Sequence, residues 1–289
     1  MHAQFSGVMT ALVTPFKDGN LDESSLRKLI NWQIKSGVQA IVPCGTTGEA
    51  ATLSEEEHYK IIKICVEEAS GRVPVIAGAG SNSTEKAIKL AKQAKEAGAD
   101  AHLQVTPYYN KPTQEGLFQH YQAIARVVDL PMILYNVPGR TAVNMLPETV
   151  KRLSQIDNIV GVKEASGNLE QIKEIIESTP DDFMLFSGED AQNVEIYRLG
   201  GMGAISVVSN IIPEKVSAIW NASSKGDVKE AELLHEAIQP INKILFIETN
   251  PIPVKTALAQ MGKIHEEFRL PLTSIAEINR SKLFETLKI

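Results

Sequence analysis

One lysine in this sequence stands where a lysine is costly. Residues 159–163, Ile-Val-Gly-Val-Lys, form a run of strand length and strand composition, bounded by Asn158 and by Ser166-Gly167. Lysine is rarely buried unless something pairs with it or uses it. Most of the other lysines fall in polar helical patterns, where a solvated face accounts for them. Lys163 is either a strand-end side chain reaching solvent or an amine with a chemical task. An amine nucleophile must be unprotonated, whereas a free lysine, with a pKa of about 10.4, is almost wholly charged at neutral pH. A nucleophilic Lys163 therefore requires surroundings that disfavour the charged form, by burial or through a neighbouring cation such as Arg140.

Other reactive types recur just after apolar runs. Gly45-Thr46-Thr47-Gly48-Glu49 follows the run 40–44. Its glycines permit close backbone approach, and its amides and two hydroxyls suit a carboxylate, although an ordinary turn has the same composition. Thr106-Pro107-Tyr108-Tyr109 closes the run 101–106, and Tyr135-Asn136-Val137-Pro138-Gly139-Arg140 closes the run 132–136. Ser187-Gly188-Glu189-Asp190 closes the run 183–187. Each tyrosine alone also reads as a packing residue. The Glu189-Asp190 pair reads most simply as a helix start. Taken together, one lysine, several tyrosines, a threonine pair and one arginine are the equipment for carbonyl chemistry through a Schiff base. Lys163 supplies the amine, tyrosine hydroxyls move protons, and threonine and arginine hold carboxylates.

These residues share a site only if the chain brings the ends of those runs together. Short β-like runs alternate with amphipathic helical runs from residue 8 to residue 224. The strands are predicted over 8–13, 40–44, 73–77, 101–106, 132–136, 159–163, 183–187 and 204–208. Helices follow each of them, the first after the N-cap Asp22 and the second from the capping box Ser54 to Glu57. About eight β/α units in about 225 residues imply parallel strands with helical crossovers, and a closed (β/α)8 barrel fits better than an open sheet. Gly78-Ala79-Gly80 lacks the third glycine of a dinucleotide fingerprint and reads as a tight turn. In a barrel of this kind catalysis gathers at the C-terminal ends of the strands. Beyond residue 226 the chain reads as helices only. The expected division is a catalytic barrel over 1–225 and a helical region over 226–289 that serves as extra packing or as an oligomer surface.

Composition narrows the classes. The chain has 289 residues and a net charge of −6, from 29 Lys+Arg against 35 Asp+Glu. That balance argues against a nucleic-acid partner, which needs a basic face. No apolar run approaches membrane-spanning length, and the N-terminus lacks the basic and apolar regions of a signal peptide, so a cytoplasmic location is expected. With only Cys44 and Cys65, no disulfide framework is implied. Cys65 reads as core. Cys44, beside the Gly-Thr-Thr loop, reads as a small buried filler more readily than as a nucleophile. The six histidines are scattered without paired ligand spacing, and there is no Walker loop or nucleophile elbow, so neither metal nor cofactor is expected.

The motifs, in their order and spacing, resemble the dihydrodipicolinate synthase family of pyruvate-dependent class I aldolases, over essentially the whole length. The matching pieces are Gly45-Thr46-Thr47-Gly48-Glu49, Tyr108-Tyr109-Asn110-Lys111-Pro112, Tyr135 to Thr141, Val162-Lys163-Glu164-Ala165, Ser187-Gly188-Glu189-Asp190 and Asn250-Pro251-Ile252-Pro253-Val254-Lys255. The resemblance implies that Lys163 forms an imine with pyruvate, whose enamine attacks the aldehyde of L-aspartate-4-semialdehyde. It implies that Tyr135 shuttles protons with Thr46 and Tyr109, and that Thr47 and the loop amides hold the pyruvate carboxylate. Arg140 would hold the carboxylate of the semialdehyde, and Gly188 and Ile205 would line the pocket with main chain. Tyr109 would enter the site of a neighbouring subunit, making the working unit at least a tight dimer and usually a tetramer. Thr46-Thr47 and Arg140 favour this activity over a sister aldolase such as N-acetylneuraminate lyase; a non-catalytic metabolite-binding barrel is the other alternative. Family members inhibited by lysine place an acid near the start of the third helix. Here Lys86 stands there, beside Glu85, and Ala50 and Glu55 replace polar and histidine positions, although His58, Asn82 and Tyr108 remain. Weak or absent feedback inhibition is expected.

Overall fold

The structure, a computed structural model, describes residues 5–289. Eight parallel strands run in chain order: β1 (Gly7–Ala11), β2 (Ala40–Val42), β3 (Ile76–Gly78), β4 (Ala101–Val105), β5 (Met132–Asn136), β6 (Ile159–Glu164), β7 (Met184–Ser187) and β8 (Gly203–Ser206). Each pairs with its neighbour in the sequence except β2 with β3, and β8 returns to β1 at Gly7 and Gly203. A single parallel bridge from Ile41 to Val75 joins β2 to the entry of β3 and closes the ring. The predicted (β/α)8 barrel is therefore what the chain forms. Several strands are shorter than their apolar runs: the first ends at Ala11, and the last gives way to a 3-10 turn, Val208–Asn210. A two-strand hairpin, Phe16–Lys17 with Asn20–Leu21, was not anticipated.

Eight main crossover helices pack outside: α1 (Glu23–Lys35), α2 (Glu55–Ala69), α3 (Thr84–Glu96), α4 (Gln114–Val127), then, after a four-residue α5 (Pro138–Thr141), α6 (Pro147–Leu153), α7 (Leu169–Ser178), α8 (Asn193–Leu199) and α9 (Pro213–Ser224). Three helices complete the chain: α10 (Val228–Ile244), α11 (Ile252–Gln260) and α12 (Glu277–Leu287). Local chemistry sets many of their starts. Asp22 caps α1 by accepting from the Ser25 amide, and Ser54 with Glu57 forms the capping box of α2.

Strand side chains divide between two cores because the pleat alternates. Met9, Ile76, Leu103, Ile133 and Phe186 fill the barrel interior. Val8, Ile41, Leu134, Val162 and Leu185 face outward into the layer shared with the helices. His102 on β4 and His120 on α4 are buried, and burial pushes both imidazoles down to about 4. An unfolded chain binds those protons near 6.5, so between about 6.5 and 4 it carries more of them than the native state does. These two imidazoles therefore take stability away as pH drops through that window. The urea midpoint is expected to fall by more between pH 6.5 and 4.5 in the parent protein than in a His102→Gln, His120→Gln variant, and equal declines in the two would contradict this account of the two histidines.

Candidate active site

The aim of Lys163 depends on an irregularity in β6. Met132 pairs with Ile159, but the next residue of β5, Ile133, pairs with Gly161 rather than Val160. One extra residue is thus bulged into β6. Ile159 faces the helical layer, Val160 faces the interior, and from Gly161 onward the alternation is reset. Strict alternation would have given Lys163 the face of Ile159. With the bulge, Lys163 pairs with Tyr135 and Phe186, and all three point inward. The Lys163 Nζ lies 4.3 Å from the Tyr135 ring centroid, and the residue is 6% exposed. Glycine at 188 makes room for it: a Cβ there would stand 3.1 Å from Lys163 Cε and 2.6 Å from Ala165 Cβ.

The next residue faces the other way. Glu164 is fully buried and accepts from Asn136 Nδ2 at 3.0 Å, from the Ser166 amide at 2.8 Å and from Gln171 Nε2 at 3.4 Å. Burial raises its carboxyl pKa against those hydrogen bonds. It ties the end of β6 to β5 and α7, holding the strand from behind while Lys163 faces the cavity.

The cavity at the C-terminal mouth of the barrel has a volume of about 400 Å³. Thr46, Thr47, Tyr135, Arg140, Lys163, Gly188 and Ile205, seven of the eight residues singled out from the sequence, line it together. The eighth does not. Tyr109 is 90% exposed, outside its own cavity, with a left-handed φ of 73°. A bulky side chain is uncommon in that region of backbone space. Arg140 stands on the single turn α5 immediately after β5, and its guanidinium donates to the Asn250 carbonyl at 3.3 Å. The loop Gly45–Glu49 curls on itself through Glu49 N to Thr46 O at 3.1 Å and Ala50 N to Gly45 O at 3.2 Å.

Several contributors were not anticipated. Asn250, Thr249 and Phe246 line the cavity, so the C-terminal helical region is part of its wall. Lys255 on α11 is completely buried and donates to Glu49 Oε1, at the end of the Thr46-Thr47 loop. The Arg269 amide reaches Glu49 Oε2 at 3.2 Å, and the Arg269 guanidinium grips Glu57 at 2.6 and 2.7 Å, holding its carboxyl down at about 2. Burial pushes Lys255 down while Glu49 pulls it back up. Glu189 is more than a helix start: it caps a 3-10 turn, but it also lines the cavity. Burial there raises its carboxyl pKa, and the nearby Lys163 opposes the shift. Cys44 is buried, and burial pushes its thiol well up, which suits a filler. Lys86 lies exposed in the first turn of α3, and Glu55 pairs with Lys89 at 2.5 Å.

Comparison with known proteins agrees with this architecture. The model of the dihydrodipicolinate synthetase family matches residues 4–289. The chain belongs to this family. It is 57% identical over 284 residues to the 4-hydroxy-tetrahydrodipicolinate synthase of Thermodesulfovibrio yellowstonii, covering 98% of each chain. It is similar to the crystal structure of dihydrodipicolinate synthase from Thermotoga maritima, with a TM-score of 0.97, 47% identity, and coverage of 99% of this chain and 98% of that one. It is also similar to the chloride-inhibited dihydrodipicolinate synthase of Acinetobacter baumannii complexed with pyruvate, with a TM-score of 0.96, 50% identity and 98% coverage of both chains. No helix among the described residues is long and apolar enough to cross a membrane.

Proposed function

We propose that this family member is a lyase that condenses pyruvate with L-aspartate-4-semialdehyde to give 4-hydroxy-tetrahydrodipicolinate, on the route to diaminopimelate and lysine. The observation that carries the proposal is the Lys163 amine, set inside the cavity over the Tyr135 ring, with Thr47 and Arg140 in the same lining. The amine attacks C2 of pyruvate, water leaves, and the imine loses a methyl proton to become an enamine. The enamine carbon forms the new bond to the aldehyde, whose oxygen takes up a proton. The amine of the semialdehyde then adds to C2 and displaces the Lys163 amine, which closes the ring and frees the enzyme.

Thr47 and the amides of its loop hold the pyruvate carboxylate, and Arg140 holds that of the semialdehyde. Tyr135 and Thr46 move protons, with Tyr109 of the partner subunit completing the relay. The exposure of Tyr109, outside its own cavity, supports an assembly of at least two subunits. Gly188 and Ile205 offer main chain to the pocket, and no metal or cofactor is needed. The exposed cation Lys86 at the start of α3 supports a weak or absent response to free lysine.

Borohydride reduction in the presence of pyruvate should trap a covalent adduct on Lys163, read by mass spectrometry of the peptide. Absence of any adduct would remove the centre of the proposal. Arg140→Ala should leave adduct formation with pyruvate unchanged while weakening use of the semialdehyde at least tenfold, since a lost charged hydrogen bond costs about 1.5–3 kcal/mol. Loss of the adduct in a folded Arg140→Ala enzyme would refute the division between the two carboxylate holders.

A further inference from the structure

Of residues 250–255, Asn250 enters the cavity wall. Asn250 is 4% exposed and lies beside the cavity. Its Nδ2 donates to the Thr47 hydroxyl at 2.9 Å, across 203 residues of sequence. A threonine hydroxyl has one proton to give and two lone pairs to receive with. The amide occupies one lone pair of Thr47 Oγ1. Among the described residues no acceptor takes the Thr47 proton. Thr47 itself is 2% exposed and lines the cavity, so no protein group competes with a ligand for that proton.

The other end of the amide, Oδ1, is buried without a hydrogen-bond partner among the described residues. The main-chain carbonyl of the same residue receives the Arg140 guanidinium at 3.3 Å. Asn250 thus touches both carboxylate holders, one through its side chain and one through its backbone.

We propose that Asn250 is a positioning residue whose amide polarises and turns the Thr47 hydroxyl, so that its proton points at the carboxylate of the 2-oxo acid. This rests on the Schiff-base reading above. The Lys255 to Glu49 pair one turn further along holds the loop, and Asn250 sets the direction of one hydroxyl within it.

The test is a double-mutant cycle on the half-saturation of borohydride trapping by pyruvate, which needs no aldehyde. Asn250→Ala should raise the half-saturating pyruvate concentration about fivefold, and Thr47→Val at least as much. The double variant should be no worse than Thr47→Val alone, because the amide acts only through that hydroxyl. The maximal trapping yield and the KM for the semialdehyde should stay within twofold of the parent, which a general loosening of the site would not allow. If alanine destabilises the protein, Asn250→Asp retains the size but offers only acceptors. It should draw the Thr47 proton to itself and raise the half-saturation further. Unchanged half-saturation in either single variant, or effects that multiply in the double variant, overturns the proposal for Asn250. Absence of an adduct in the parent protein overturns the Schiff-base reading instead, so the two failures are told apart.

Discussion

Replacing Lys163 by alanine is expected to leave no borohydride-stable pyruvate adduct and to lower turnover at least about a thousandfold, with the fold intact. The size of the effect follows from the cavity. Among its described lining residues Lys163 carries the one primary amine, and the other cation, Arg140, is a guanidinium that does not form such imines. The second buried lysine, Lys255, offers no substitute because it is sealed and donates to Glu49. Removing the amine side chain leaves a space of a few methylenes, so a modest fall in stability accompanies the loss, on the order of 1–3 kcal/mol. Intact-mass analysis after reduction, together with a thermal melt, separates the two effects. A trapped pyruvate adduct of undiminished yield on the folded variant would show that another group is the nucleophile.

Lys255→Met is expected to be the most damaging substitution outside the reacting groups. The Lys255 and Glu49 side chains are both fully buried. Removing one partner of such a pair strands the other charge in a poor solvent and costs about 3–5 kcal/mol. For a chain of this size that is a fall of roughly 6 °C or more in Tm. Glu49→Gln together with Lys255→Met removes the stranded charge and should recover most of the loss, since paired apolar or neutral replacements are often tolerated. Glu49 ends the loop that bears Thr46 and Thr47, so the single variant should also raise the KM for pyruvate. Denaturant midpoints for the two single variants and the double variant decide the matter: a double variant as unstable as Lys255→Met would mean that packing around Phe16 and Phe268, not charge, holds Lys255 in place.

The barrel was legible because its signals are local. Alternating apolar periods and the Asp22 and Ser54 caps each declare themselves within a dozen residues, and about eight β/α units follow one another along the chain. The rim was legible for a related reason: in this fold the ends of the strands must converge, so Thr47, Tyr135, Arg140 and Lys163 could be gathered without coordinates. What escaped were contacts whose partners lie far apart. Glu49 and Lys255 are 206 residues apart, and Thr47 and Asn250 are 203 apart, so no window of sequence contains both. The signal that could have found Lys255 was the one applied to Lys163, a lysine in an apolar setting: Ile252-Pro253-Val254 precedes it and Ala257-Leu258 follows. Glu164 escaped because a strand end buried on both faces gives no alternation to reveal which side chain lies inside. Tyr109 was placed on the rim by its strand and sent to a neighbouring subunit by the resemblance; its own cavity lacks it, since the loop carries it outward.

The bulge at Val160 makes the chemistry of this cavity a matter of parity. Gly161 is the origin of the count: residues an even number of steps beyond it face the cavity, and odd ones face the helices. The bulge absorbs slack below that origin, so a residue lost at Val160 would yield a regular strand with Lys163 still inward. Above it there is no slack. A single residue inserted between Gly161 and Lys163 would turn the amine into the helical layer and bring the Glu164 carboxylate into the cavity, exchanging a base for an acid without altering either side chain. Variation in length along this strand is thus divided at one glycine into changes the enzyme could survive and changes that would convert its site to a different charge.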